Sequence, residues 1–110
     1  MEDKFFFSSL FIGGIMVGVI VKAYASLREL LGFKTMKVET EANNIRELIE
    51  TLGEMYNPYF PMRIIEEGTD KVKKAYKILL NGRDIAHLEG LETRIDEGDT
   101  VIFFPPISGG

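Results

Sequence analysis

At 110 residues with 45% hydrophobic content, the chain can bury one core, is too short for a deep interdomain cleft, and is too apolar for a disordered polymer. Its 13 basic and 17 acidic residues leave a net charge of −4, which supplies no global attraction for nucleic acid or an anionic membrane. With no cysteine and one histidine, disulfides, thiolate metal sites, a cysteine nucleophile and multi-histidine metal sites are all excluded.

The N-terminal region opens with an uncharged run of 17 residues, Phe5 to Val21. Three readings compete. A membrane span needs about 20 apolar residues, with about 17 the lower limit. A secretory signal needs a basic start and a small-residue cleavage site; "AYA" at Ala23 to Ala25 imitates the site, but "MEDK" is net acidic. The third reading, preferred here, makes residues 1–15 a hydrophobic extension and residues 16–110 the domain. No membrane partner is expected, and the lack of cysteine fits a cytoplasmic chain.

From Val17, "VGVIVKAYA" alternates: Val19, Val21 and Ala23 share one face, Ile20, Lys22 and Tyr24 the other, as in a strand. "SLRELLG" suggests a brief helical turn stopped by Gly32. "TMKVET" alternates again, with Met36 and Val38 inward, and pairs with the first strand in a hairpin-like arrangement. Ile45, Leu48, Ile49, Leu52, Met55 and Tyr56 recur at helical spacing. Asn44 and Glu47 form a capping-box pattern at its start, and Asn57-Pro58 stops the helix. Residues 59–74 form a longer excursion, partly helical, that packs Phe60, Ile64 and Ile65 over a core edge. Lys71, Lys73, Lys74 and Lys77 are read as a solvated face, balanced by Glu66, Glu67 and Asp70.

"YKILLNGRDI" is the strongest hairpin signal, because Asn81-Gly82 supplies the positive backbone angles of a two-residue turn. His87 follows as a surface residue. Asp96, Glu97 and Asp99 flank a turn at Gly98 and serve turn geometry rather than a metal. Thr100 to Phe104 is the final strand, with Phe103 in the core and Phe104 on the opposite face, available to a partner.

The last eight residues, "FFPPISGG", then leave the sheet. Pro105 and Pro106 lack amide hydrogens and cannot continue strand pairing. Ile107 to Gly110 can project roughly 14 Å at about 3.5 Å per residue. Gly109 and Gly110 carry no side chain, so a narrow channel can close on their backbone. The terminal carboxylate is ionised at neutral pH, with a pKa of about 3.3–3.7. It resists nucleophiles until activated, and neither "GEMYNP" nor "LNGRD" is a phosphate-cradling loop. Activation therefore requires a second, nucleotide-binding protein.

"FFPPISGG" after "EGDTVI", with "VKAYASLRELLG" and "LLNGRDI", closely resembles the small subunits of molybdopterin synthases, within the wider ubiquitin-like sulfur-carrier family. The resemblance spans Met16 to Gly110. It implies an α+β, β-grasp fold: a mixed sheet around one main helix, with a flexible tail at 105–110. It also implies a chemistry. An adenylating enzyme of the ubiquitin-activating type uses ATP and Mg to make an acyl adenylate at Gly110. A sulfur donor then displaces AMP, leaving a thiocarboxylate that the synthase large subunit passes to a pterin precursor. No cofactor is bound by this chain, which is not an enzyme alone. The resemblance assigns Gly110 as the sulfur-bearing residue and Gly109 as the residue that passes the channel. Phe104, Pro105, Pro106, Ile107, Ser108, Tyr24 and Arg28 become partner contacts. Related carriers are ligated to lysines of target proteins or serve tRNA thiolation, so both remain alternatives. The N-terminal extension and the longer segment from Asn57 to Lys74 depart from the compact bacterial form.

Overall fold

The structure, a computed structural model, describes residues 15–107. The five strands are β1 (Val17–Ala23), β2 (Thr35–Thr40), β3 (Lys77–Leu80), β4 (Arg83–Asp84) and β5 (Thr100–Phe104), in sheet order β2-β1-β5-β3-β4. The central pair, β1 and β5, is parallel, with Val21 opposite Val101 and Ala23 opposite Phe103. All other pairings are antiparallel. Alternation fixes which side is buried: Val19, Val21, Ala23, Val101 and Phe103 are fully inaccessible, as the pleat requires of one face.

Against that face lies α2 (Ile45–Met55), which buries Ile45, Leu48, Ile49 and Leu52. The Asn44 side chain caps it by accepting from the Glu47 amide at 2.8 Å. Glu47 reaches back to the Asn43 amide at 2.8 Å, one residue earlier than in the usual reciprocal box. Met55 departs from expectation: it is 51% exposed, because the last turn of the helix runs past the covered core. Met36 also departs, since β2 is the edge strand and its first residues are exposed.

Two helices complete the layer: α1 (Ala25–Leu31), longer than the brief turn the sequence suggests, and α3 (Phe60–Ile64). The excursion after Asn57 is part of the core. Phe60 and Ile64 are buried, and Phe60 meets Phe103 edge-on at 5.2 Å. Close packing explains Gly53: a Cβ there would lie 2.6 Å from the Pro61 ring. A bridge between Ile65 and Val72 closes the following loop, and Arg46 ties it down through ion pairs to Asp70 and Glu92.

The β3–β4 turn has positive φ at both Asn81 (51°) and Gly82 (86°), as its sequence demands. Asn81 does more than turn the chain. Its amide donates to the Thr100 carbonyl, and its side chain joins Asp99 and the Thr100 amide, fastening the turn to the start of β5. The acidic turn is similarly occupied: Glu97 accepts from the Gly18 amide at 2.7 Å and Asp99 from the Asp96 amide at 2.7 Å.

The uncharged N-terminal run is divided by the fold. Its last residues, Val17 to Val21, are the inner strand β1, so cleavage after Ala25 would delete that strand. Residues 1–14, which hold most of the expected extension, lie outside the described residues. Among the described residues no helix is long and apolar enough to cross a membrane.

Candidate functional site

The last strand carries Phe104 on the face of the sheet that α2 does not cover. There its ring stacks on Tyr24, with centroids 5.0 Å apart and planes 5° from parallel. The register explains the meeting. Lys22 faces Ile102 across the parallel pair, so the next outward residues, Tyr24 and Phe104, fall side by side as the strands end. Tyr24 is held from behind: its carbonyl accepts from the amides of Leu27 and Arg28, closing the first turn of α1. Ala25, between them, has φ of 53°, a left-handed conformation that costs a non-glycine residue about 1–2 kcal/mol. That turn carries the chain abruptly from β1 into α1 at the edge of the aromatic pair.

Arg28 lies one helical turn beyond Tyr24 and is exposed. No carboxylate pairs with it among the described residues. The structure thus brings Tyr24, Arg28 and Phe104 to one end of the sheet. It also brings in residues that sequence reasoning did not nominate. Ile20, Lys22, Leu79 and Ile102 occupy the same open face and are half-buried. Their signal was present in the second phase of each strand's alternation, where apolar side chains stand opposite the core.

Beyond Phe104 the tail does not leave at once. Pro105 is buried and Pro106 half-buried, whereas Ile107 is 100% exposed. The chain therefore separates from the globule at Pro106–Ile107, and Ile107 is the residue from which projection is expected. Ser108, Gly109 and Gly110 lie outside the described residues.

Beside the aromatic pair, Phe104 is registered against Lys77, whose ammonium meets Asp84 at 3.2 Å. The Asp84 carboxylate also accepts from the Ala86 amide at 2.9 Å and caps a short turn of 3-10 helix at Ile85–His87. The Ala86 hydrogen bond, assisted by Lys77, holds the Asp84 carboxyl below its ordinary value, against the opposing effect of partial burial. As pH falls, the unfolded chain takes up this proton before the folded chain does. The stabilisation is complete above the ordinary carboxylate value and is lost as pH drops through the lowered one. Asp84→Asn is expected to remove that part of the acid sensitivity. The check is a flatter pH dependence of the urea-unfolding midpoint below about pH 4.

Among the described residues the arrangement is an aromatic and aliphatic face, with Lys22 on it and Arg28 nearby, and a chain that is fully exposed at Ile107. The sequence profile of the ThiS family matches residues 21–110. The chain is 35% identical over 92 residues to small archaeal modifier protein 3 of Haloferax volcanii, covering 82% of this chain and 96% of that protein. The solution structure of small archaeal modifier protein 1 from Methanosarcina acetivorans superposes with a TM-score of 0.71 at 30% identity, over 88% of this chain and all of that one (100%). A Pyrococcus furiosus protein described as subunit 1 of a molybdopterin converting factor gives 0.61 at 26% identity, over 83% of this chain and 99% of that one.

Proposed function

The chain belongs to the ThiS family of ubiquitin-like sulfur carriers, and from that premise we propose that it is a protein co-substrate activated at Gly110. The observation that carries this reading is the exit geometry: Ile107 is fully exposed just past the half-buried Tyr24–Phe104 pair, so the chain has reached solvent beside a ready docking face. A partner enzyme of the ubiquitin-activating type seats on that face, with Phe104 and Tyr24 as aromatic anchors. Arg28 and Lys22 supply cationic contacts at its margin. Gly109 and Gly110 reach the partner's nucleotide site through a channel that closes on their bare backbone, with Ser108 at its mouth.

There the Gly110 carboxylate oxygen attacks the α-phosphorus of Mg-bound ATP and pyrophosphate leaves. Hydrosulfide, delivered by a sulfur donor, then attacks the acyl carbon; the bond to AMP breaks, AMP leaves, the sulfur's proton goes to solvent, and a thiocarboxylate remains. This chain contributes the acyl group and its presentation; phosphate binding and metal chemistry belong to the partner. Dependence on ATP makes the cytoplasm the compartment of the reaction. We assign the sulfur to a pterin precursor in molybdopterin synthesis, with this chain as the small subunit of the synthase. The complete terminal motif and the likeness to the Pyrococcus protein support that destination.

A second destination has its own support. The 35% identity to a small archaeal modifier protein favours transfer of the activated glycine to lysines of target proteins. One experiment tests both. Intact-mass analysis of the chain from its native host should show one oxygen-to-sulfur exchange at the C-terminus, and the protein should co-purify with the synthase large subunit. Digested lysates rich in lysines bearing a tail-derived remnant, without thiocarboxylate, would assign the chain to modification instead. An unaltered carboxylate with neither product would reject activation altogether.

A further inference from the structure

The helix side of the molecule carries a second surface that the tail chemistry does not use. Met55, Tyr59 and Met62 are exposed there by 51%, 61% and 62%, an unusual concentration of large apolar side chains over eight residues. Beside Met62 an open groove of about 450 Å³ runs between α3 and the loop that follows it. Pro61, Met62 and Ile65 give it an apolar lining, and Glu50, Glu66 and Glu67 stand along it with Lys73 as the one cation.

The groove is held in shape from beneath. Phe60 and Ile64 anchor α3 in the core, Pro61 sits against Gly53, and the Lys73 amide donates to the Ile64 carbonyl at 2.7 Å. The carboxylates are less committed. Among the described residues none of Glu50, Glu66 and Glu67 lies within ion-pair distance of a cation, and Arg46 attracts Glu50 only from farther away.

We propose that this groove docks a basic, apolar peptide segment of a partner protein, independently of the tail. Charge selects the occupant. Three carboxylates against one ammonium favour cationic side chains at the margin, and the apolar lining takes one or two aliphatic side chains between them. Methionine at the lip adapts to such side chains without a fixed shape. The same carboxylates repel nucleic acid and anionic lipid, and a second copy of this chain, at a net charge of −4, is opposed by its own field. Since α2 covers one face of the sheet and Phe104 lies on the other, a segment seated here leaves the tail free. The surface therefore gives the carrier a way to hold a protein while its chain end is engaged elsewhere.

The test is an amide chemical-shift titration of the full-length, nitrogen-15-labelled chain with a synthetic peptide of lysine pairs flanking leucines. Saturable shifts concentrated at Glu50, Met62, Ile65 and residues 66–69 are expected. Glu66→Lys combined with Glu67→Lys should weaken binding about tenfold, the equivalent of two exposed charge pairs. Both side chains are exposed, and the variant's own spectrum reports whether the fold is intact. Replacing the leucines by serine should weaken binding by a similar factor. Shifts scattered over all acidic residues, or an affinity indifferent to the double substitution, would overturn the proposal. A chain lacking Gly109 and Gly110 should bind the peptide unchanged, so failure of the tail chemistry and failure of this surface are read separately.

Discussion

Removal of Gly109 and Gly110 is expected to reduce ATP-dependent thiocarboxylate formation to background while leaving the thermal unfolding midpoint unchanged. The two halves of the expectation come from different residues. Chemistry needs the glycine carboxylate, because only an end without side chains fits a channel closed on backbone. Stability does not need it, because burial ends at Pro105 and Ile107 is already in solvent. Phe104→Ala should behave in the opposite sense. It keeps the reactive end but loses the anchor and its Tyr24 stack, at 5.0 Å. A central aromatic anchor is worth about 2 kcal/mol, so kcat/KM for adenylation should fall about 30-fold. Loss of the stack itself should lower stability by about 1 kcal/mol. Pyrophosphate release with the partner enzyme and intact-mass analysis measure the first effects, and chemical denaturation the last. Activation of the truncated chain at the full rate would remove the basis of the proposed function.

Phe60→Ala is expected to destabilise the domain by about 3–5 kcal/mol, the largest effect of any single substitution considered for this chain. Phe60 is fully buried and meets Phe103 edge-on, so truncation leaves a cavity between α3 and the central strand that precedes the tail. A domain of this size holds about 5–15 kcal/mol in all, so the variant should be partly unfolded near physiological temperature. The neighbouring Tyr59 is 61% exposed, and Tyr59→Ala should cost no more than about 0.5 kcal/mol. The urea midpoints of the pair check whether the excursion after Asn57 is core or ornament.

Local chemistry made much of this fold legible in the sequence. The period-two run Val19–Val21–Ala23 announced a buried strand and Phe103 was read as core in the last one, and all four are inaccessible. Asn81-Gly82 demanded its turn, and Asn44 its cap. The β-grasp architecture came through the resemblance of the terminal motif, and the mixed five-stranded sheet agrees with it. What escaped was non-local. Nothing in "VGVIVKA" or "TVIFF" says that these strands pair with each other, still less in parallel, because the hydrogen bonds that decide it join distant residues. The segment at Phe60 was read as packing over a core edge; its full burial against Phe103 could not be read, because its pattern is too short for a period. Tyr24 and Phe104 could each be suspected alone, but their stack follows from the register of the parallel pair. The burial of Pro105, which keeps the chain on the globule as far as Pro106, depends on a surface that sequence does not display.

The strand made last is the one that fills the middle of the sheet. The Gly18 amide finds Glu97 across 79 positions of chain, and Ile20 to Ala23 of β1 wait for Thr100 to Phe103 of β5. During synthesis β1 can pair with β2 as soon as both are made, but its other edge stays open until β5 follows. The two halves of the sheet, β2-β1 and β3-β4, are thus joined only when β5 has been made. A product stalled before Thr100 lacks the strand that joins β1 to β3, and it leaves both of those strands with an open edge.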